Sequence, residues 1–283
     1  MKTQAERNSF LLIDGAQLAV AGLPVPRLDD APGWLTHVYD ANAAAVSPMV
    51  VDIDAICRID NADQMMDLAT ALQPQLHASL IDTAMSHEAL THHLRAFRMI
   101  RTVEGKAFTL RFADCTVLPI LAAVFSPAQW TALAGPIVRW CVHGFDGTLR
   151  DLPRADITQR PAPTPLVLSD EQLADLHEAT APTMMLAHLR DIGHGEIMPG
   201  SLLEQHRWAS AARHAWRSAG NTDDIVLRWF TSAALSTHGQ VLQQARLPAL
   251  LGTTDLATIR ADLLEAVSEH HARTQRAMTR ETR

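Results

Sequence analysis

The chain is poor in the residues that staple secreted domains and in those that stack on nucleic-acid bases. It has three cysteines among 283 residues and no Cys-x-x-Cys pair, so we expect reduced thiols in a cytoplasmic protein. Aromatic residues make up only 5% of the chain, with a single tyrosine. Bases would therefore find few stacking surfaces. The net charge of −7 also argues against a nucleic-acid partner, because no strongly basic field covers the chain.

Long uninterrupted apolar segments are scarce as well. The segment from Cys115 to Val138 contains no charged residue, and by length alone it is a candidate membrane span. Prolines interrupt it, and Ser126-Pro127 begins a new helix in its middle. We therefore expect buried core and no membrane insertion, with a membrane-associated secretion component as the third alternative. Asp14 and Gln17 break the short apolar stretch near the start, which predicts no signal peptide.

The first part of the chain alternates strand-like runs with helix starts. Ser86 and Ser126 are predicted helix N-caps, and Glu104-Gly105-Lys106 predicts a hairpin turn. Strands that alternate with helices indicate an α/β lobe over residues 1–150, with a mixed sheet because one pair is a hairpin. The predicted strands are Ser9–Ile13, Met49–Ile53, Leu76–Ile81, Arg98–Val103, Ala107–Phe112 and Ile137–Val142.

The remainder of the chain has a different character. Residues 151–165 are rich in proline, which predicts an extended, semi-rigid connector. Beyond it no convincing strand pattern occurs, and Ser169 and Ser201 each begin a capping box. Residues 166–283 are therefore predicted to form an all-α helical lobe, in which we expect the determinants of partner specificity.

Asp114 is the residue that most invites a catalytic interpretation. It follows the predicted strand Ala107–Phe112 and precedes an apolar helical run, which is how many α/β enzymes hold a catalytic carboxylate. An aspartate at this position also caps a helix, because its carboxylate accepts the free amide hydrogens of the first turn. We favour the cap. The alternative is an α/β hydrolase-like enzyme that uses Asp114 and His143.

No residue pattern in the sequence predicts a metal or a cofactor. His87 and Glu88, with His92 and His93, resemble a zinc-protease helix, but that motif needs two histidines four residues apart. The separations from His87 are five and six residues, which correspond to about 140° and 240° around a helix. Neither a nucleotide-binding glycine loop nor a Gly-x-Ser-x-Gly elbow is present.

The helix that begins at Leu202 offers a charged surface. At helical spacing, His206, Arg213, His214 and Arg217 share one face. On an acidic protein, such a basic stripe is suited to an acidic segment of a partner. We predict that these four residues contribute to partner binding, and the alternative is an ordinary solvated face.

The order of several short motifs between Phe10 and Phe145 resembles a known family. The chain resembles the adaptor/chaperone family of bacterial type VI secretion, long catalogued as a domain of unknown function. The motifs that carry the resemblance are Leu11–Ala16, Ser47–Val51, His92–Arg95, Arg111–Asp114, Ser126–Gln129 and Gly135–Trp140.

The resemblance implies an N-terminal α/β domain followed by a variable helical part. It also implies binding of a secreted toxic effector and loading of that effector onto the VgrG spike, without catalysis or a cofactor. The family has an arginine–aromatic–aromatic–aspartate motif that is followed by Pro-Arg. This chain keeps Arg111, Phe112 and Asp114 but has Ala113 and Cys115-Thr116 at the other positions. We expect the three retained residues to be structural.

Overall fold

A computed structural model describes residues 7–59, 62–72, 74–193 and 198–281. The chain divides into two compact units between Ala179 and Thr180. The first unit holds the strands and the second holds helices only, within the described residues. The predicted fold class, an α/β lobe followed by a helical lobe, is confirmed.

Two sheets organise the first unit. The larger has six strands in the order β2-β3-β1-β4-β7-β8, and all of its pairings are antiparallel. The smaller has the order β6-β5-β9 and contains the parallel pair β5–β9. The mixed pairing therefore arises in the small sheet. The strands are β1 (Asn8–Asp14), β2 (Leu35–His37), β3 (Pro48–Asp52), β4 (Ala78–Thr83), β5 (Met99–Thr102), β6 (Ala107–Thr109), β7 (Ile137–His143), β8 (Leu149–Asp151) and β9 (Leu166–Leu168).

The large sheet is buried on both faces, which explains the near-continuous apolar runs in its central strands. Leu12 of β1 is paired with Val50 of β3, and both belong to one core cluster. The next residue of β1, Ile13, is paired with Met49 and belongs to a second cluster on the opposite face. Successive side chains of a strand point to opposite faces, so β1 and β3 each contribute to two cores.

Six complete helices, a 3₁₀ helix (Ala41–Val46) and the start of a seventh helix accompany the sheets in the described part of the first unit. The predicted N-caps are confirmed: the Ser86 hydroxyl accepts the amide hydrogen of Ala89, and Ser126 forms a full capping box with Gln129. The helices are α1 (Gly15–Val20), α2 (Ile53–Arg58), α3 (Ala62–Thr70), α4 (His87–Arg95), α5 (Leu118–Val124) and α6 (Pro127–Ala134).

The uncharged segment from Cys115 to Val138 folds into α5, α6 and the first residues of β7. Both helices are short, and Leu118, Leu121 and Leu133 are buried in the core of the first unit. None of the helices in the described ranges combines the length and apolarity that crossing a bilayer requires.

Residues 151–165, predicted to be a connector, are bound to the first unit. The indole Nε1 of Trp130 donates to the carbonyl of Pro153, and the Thr131 hydroxyl donates to the carbonyl of Asp156. The chain then enters β9, a strand that the sequence analysis did not predict, because three residues are too few to show a period of two. The compact unit extends to Ala179, beyond the predicted start of the helical lobe at residue 166.

The second unit is built from long helices. Ser201 forms the predicted capping box with Glu204 at the start of α8. The aromatic residues Trp216 of α8 and Phe230 of α9 are buried together with Leu263 of α11. The C-terminal helices are α7 (Asp170–Ile192), within which the division falls, α8 (Leu202–Ser218), α9 (Asp224–Ser236), α10 (Leu247–Gly252) and α11 (Leu256–Glu281), with a 3₁₀ helix at Gln240–Gln243.

Candidate functional site

Two buried aspartates share one arginine at the end of β1. Arg111 Nη2 lies 2.8 Å from Asp14 Oδ2 and 3.1 Å from Asp114 Oδ2. Gln17 of α1 adds a hydrogen bond from its Nε2 to Asp114 Oδ2 at 3.2 Å. We call Asp14, Gln17, Arg111 and Asp114 the acid–arginine cluster. It joins β1 and α1 to a turn 97 residues away along the chain.

Asp14, like Gln17, was not singled out as a site residue by the sequence analysis. It is the N-cap of α1, where its Oδ1 accepts the amide hydrogens of Ala16 and Gln17. The next residue is Gly15, where an added Cβ would clash with the carbonyl oxygen of Ser47. The sequence does contain a pattern that could have pointed to Asp14: an apolar strand that ends in Asp-Gly. Aspartate caps helices, and glycine permits close approach of two backbone segments.

Asp114 does not cap α5, contrary to what we expected from the sequence. The N-cap of α5 is Val117, and no side chain caps that position. Asp114 instead closes a turn, with its Oδ1 accepting from the Thr116 amide at 2.8 Å and from the Thr116 hydroxyl at 2.7 Å. The helix starts late because Pro119 is tolerated only in the first turn. The strand also ends earlier than predicted, at Thr109.

Phe112, the third retained motif residue, is fully buried in the main core of the first unit. It lies in the turn between β6 and Asp114, so its side chain fixes that turn against the sheet while Arg111 remains 47% exposed. Within this motif, Arg111 and Asp114 form an ion pair, and the two residues between them, Phe112 and Ala113, lie in the core.

Burial and charge act in opposite directions on the carboxyl group of Asp14. Burial raises its pKa most strongly, the negative charge of Asp114 raises it further, and Arg111 lowers it, with a net increase. The same environment raises the pKa of Tyr39 to about 12, first by burial and then by the negative charge of Asp14. Arg111 is the cation that keeps two buried carboxylates tolerable, since an unpaired buried charge is costly.

The contacts of Asp114 and His143 do not form an acid–base pair. Asp114 accepts hydrogen bonds from Gln17, Arg111 and Thr116. His143 Nδ1 instead contacts the carbonyl of Ala78 at 2.9 Å. Both carboxylate oxygens of Asp114 thus accept hydrogen bonds from side chains or backbone that fix its orientation. None of those donors is a base.

Cys115 lies next to this region, and its thiol also binds a carbonyl. Its Sγ donates to the carbonyl oxygen of Ala78 at 3.2 Å. Burial is the main cause that raises the pKa of this thiol to about 12. A nucleophilic cysteine requires a thiolate at neutral pH, so the environment of Cys115 favours the inert thiol.

The histidines of α4 contact the backbone of neighbouring elements. His87 Nε2 lies 3.1 Å from the carbonyl of Val50, and His93 Nε2 lies 2.7 Å from the carbonyl of Leu133. Across the residues that the structure describes, no three histidine, cysteine, aspartate or glutamate side chains are arranged to hold a metal ion.

The four residues predicted to bind a partner on α8 differ in their surroundings. Arg217 Nη2 forms an ion pair with Asp224 at 2.9 Å, and its Nη1 donates to the carbonyl of Asn221. His206 is partly buried, and burial lowers its pKa, which favours the neutral ring at pH 7. Arg213 is partly exposed and His214 is exposed. The charge available at this face is therefore smaller than the sequence indicated.

An apolar cleft of about 510 Å³ opens between α1, α3 and the segment that precedes β2. The sequence analysis missed it, although the proline-rich segment 23–34 was a signal that this loop is stiff and apolar. A volume of this size is typical of binding pockets. We call it the apolar cleft, and its lining includes Leu18, Leu23, Pro24, Pro32, Trp34 and Leu68.

Comparison with known proteins bears on the first unit only. Residues 9–132 match the model of a family described as a domain of unknown function (DUF4123). No curated protein and no solved structure matches the chain. The matched segment begins in β1, ends in α6 and contains the whole acid–arginine cluster and the apolar cleft.

Proposed function

We propose that this chain is a non-enzymatic adaptor that binds a toxic effector of bacterial type VI secretion and helps to load it onto the VgrG spike. The observation that carries the proposal is the match of residues 9–132 to the DUF4123 family model. The order of motifs between Phe10 and Phe145 resembles the type VI adaptor family over the same segment. The proposed site of action is the cytoplasm. The buried cysteines Cys115 and Cys141 form no disulfide, which is typical of a reducing compartment.

The contacts of the motif Arg111–Asp114 support a binding role over catalysis. A general base must reach the proton that it removes, and a nucleophile needs an adjacent base or a lowered pKa. Asp114 is engaged by three positioning groups, and the pKa of the Cys115 thiol is raised to about 12. These are properties of groups that hold a fold together.

The two units offer different surfaces for two partners. The first unit carries the apolar cleft, and the second carries the charged face of α8 with Arg213 and His214 on its surface. An adaptor needs separate surfaces for cargo and carrier. We assign the effector to the helical unit, because the resemblance implies that this part varies within the family.

The test is co-purification of the full-length, tagged chain expressed together with its neighbouring genes. We expect an effector and a VgrG protein to be retained and identified by mass spectrometry. If the wild-type chain retains neither, the adaptor function is refuted. The same would follow if the chain turned over a small substrate and Asp114→Ser abolished that activity at unchanged stability.

An increase in negative charge on α8 tests the assignment of the effector. Arg213→Glu combined with His214→Glu should slow effector capture, most clearly at low salt, because rim charges govern the association rate. Arg217 is left unchanged, since its reversal would also break the pair with Asp224. Arg276→Glu on the exposed side of α11 is the matched control. Equal capture by both variants would refute the assignment to α8.

A further inference from the structure

The walls of the apolar cleft are almost entirely apolar. Leu18 comes from α1, Leu68 from α3, and Pro24, Pro26 and Pro32 from the intervening segment. Each proline restricts its own backbone φ angle, which lowers the conformational entropy that this segment can lose when a ligand binds. A preformed apolar concavity of this kind is suited to apolar side chains of another molecule.

Trp34 supplies a second observation in the same wall. The residue is 6% exposed, and its indole Nε1 has no hydrogen-bond partner among the described residues. The Nε1 atom itself is buried, so the contact that Trp34 offers to a ligand in the cleft is its apolar ring.

The charges on the elements that form the cleft are mostly negative. Asp67 lines the cleft, and Asp63 lies one turn earlier on the same helix. Asp29 and Asp30 are exposed in the proline-rich segment, where Arg27 is the one basic residue. One aspartate in the lining and three more on the elements that form the cleft disfavour fatty acids and anionic lipids and favour an apolar segment with basic neighbours.

We propose that the apolar cleft binds an apolar segment of a partner protein that carries lysine or arginine beside its apolar side chains. The proposal rests on the proposed adaptor function, because it defines the chemistry of the partner segment that the first unit receives. The apolar side chains of the partner segment contact the ring of Trp34 and the leucines of the cleft, and its basic side chains face Asp67.

The direct test uses the indole signals of the full-length chain labelled with [¹⁵N]tryptophan. The six tryptophans give six indole resonances, and the signal that disappears in Trp34→Phe belongs to Trp34. The probe is a synthetic leucine–alanine peptide flanked by lysines, and the control is the same peptide flanked by glutamates. We expect the lysine peptide to shift the Trp34 signal saturably, with weaker binding at high salt, and the glutamate peptide to leave it unchanged.

Three results of this titration would overturn the proposal. The first two are an unmoved Trp34 signal and equal shifts with both peptides. The third is an equal or larger shift with dodecanoate, which would indicate a fatty-acid site. Self-association of the chain through the cleft would also overturn the proposal. It would appear as a dimer in sedimentation that Asp67→Lys dissociates in the absence of peptide.

Charge reversal at the rim separates this proposal from the adaptor function. Asp67→Lys should weaken binding of the lysine peptide about tenfold and reduce retention of one co-purified partner. Asp175→Lys, an exposed aspartate of α7, should do neither. If Asp67→Lys retains both partners fully, the cleft proposal fails and the adaptor function stands. If the wild-type chain retains no partner, the adaptor function fails, and the peptide titration alone decides the cleft.

Discussion

Arg111→Met is the substitution that most directly tests the account of the acid–arginine cluster. The guanidinium lies within 3.1 Å of both carboxylates, and methionine keeps much of the apolar stem while it removes the charge. Asp14 and Asp114 would then remain buried beside each other without a cation. We expect the folded state to be destabilised by repulsion between the carboxylates. Their desolvation would also no longer be offset by a nearby positive charge.

The magnitude follows from the exposure of the three side chains. Both aspartate side chains are 4% exposed, whereas the side chain of Arg111 is 47% exposed. Breaking a fully buried pair costs about 3–5 kcal/mol, and an exposed pair contributes about 0–1 kcal/mol. Because water already screens half of the guanidinium, we expect a loss of about 2 kcal/mol in the free energy of unfolding at neutral pH.

The loss should depend on pH with a definite sign. The pKa of Asp14 is raised in the folded protein, so its contribution to stability is present below the unfolded pKa and is lost as pH rises through the folded value. Arg111 lowers that folded pKa. Its removal raises the pKa of Asp14 further and extends the range over which rising pH destabilises the fold. The substitution should therefore cost less at about pH 5 than at about pH 8.

The assay is urea unfolding followed by far-UV circular dichroism and tryptophan fluorescence at these two pH values. Arg150→Met is the matched control, since Arg150 of β8 also pairs with an aspartate, Asp146, but the two side chains are 61% and 28% exposed. It should change the free energy of unfolding much less than Arg111→Met does. A cost of Arg111→Met that is the same at both pH values, or no larger than that of the control, would refute the reasoning.

Three further predictions follow from the same contacts, each checked by the unfolding assay or by thermal melting. Asp114→Ala should cost about 1–3 kcal/mol, and Asp114→Ser should recover only part of this, because serine replaces the turn contact with Thr116 and not those with Arg111; full recovery by serine would contradict the cluster. Gly15→Ala should cost about 1–3 kcal/mol because its Cβ meets the backbone of Ser47, whereas Gly33→Ala, with open space around it, should be nearly neutral; equal effects would be contrary evidence. A fragment ending at residue 150 should lack cooperative melting, since it loses β9, whereas one ending at residue 179 should melt cooperatively; the opposite order would show that β9 and the segment before it are dispensable.

Local signals in the sequence determined most of the secondary structure. The caps at Ser86, Ser126 and Ser201 form as predicted, because a capping hydrogen bond joins residues only three positions apart. The hairpin at Gly105 also forms, with the glycine at a φ of +82°. The strands β1, β3 and β7 were found because they are long enough to show an apolar run. These features need no knowledge of what lies elsewhere in the chain.

Contacts between distant residues decided the rest. The sequence places Asp114 before a helix, but only the fold brings Asp14 and Gln17 to it from 97 or more residues away. The fold also extends the first unit to Ala179, through the parallel pairing of β9 with β5. The apolar cleft exists because α1, α3 and the proline-rich segment meet there. Long-range pairings carry no periodic signal in a single sequence, since the free energy that selects them comes from burial in the assembled core.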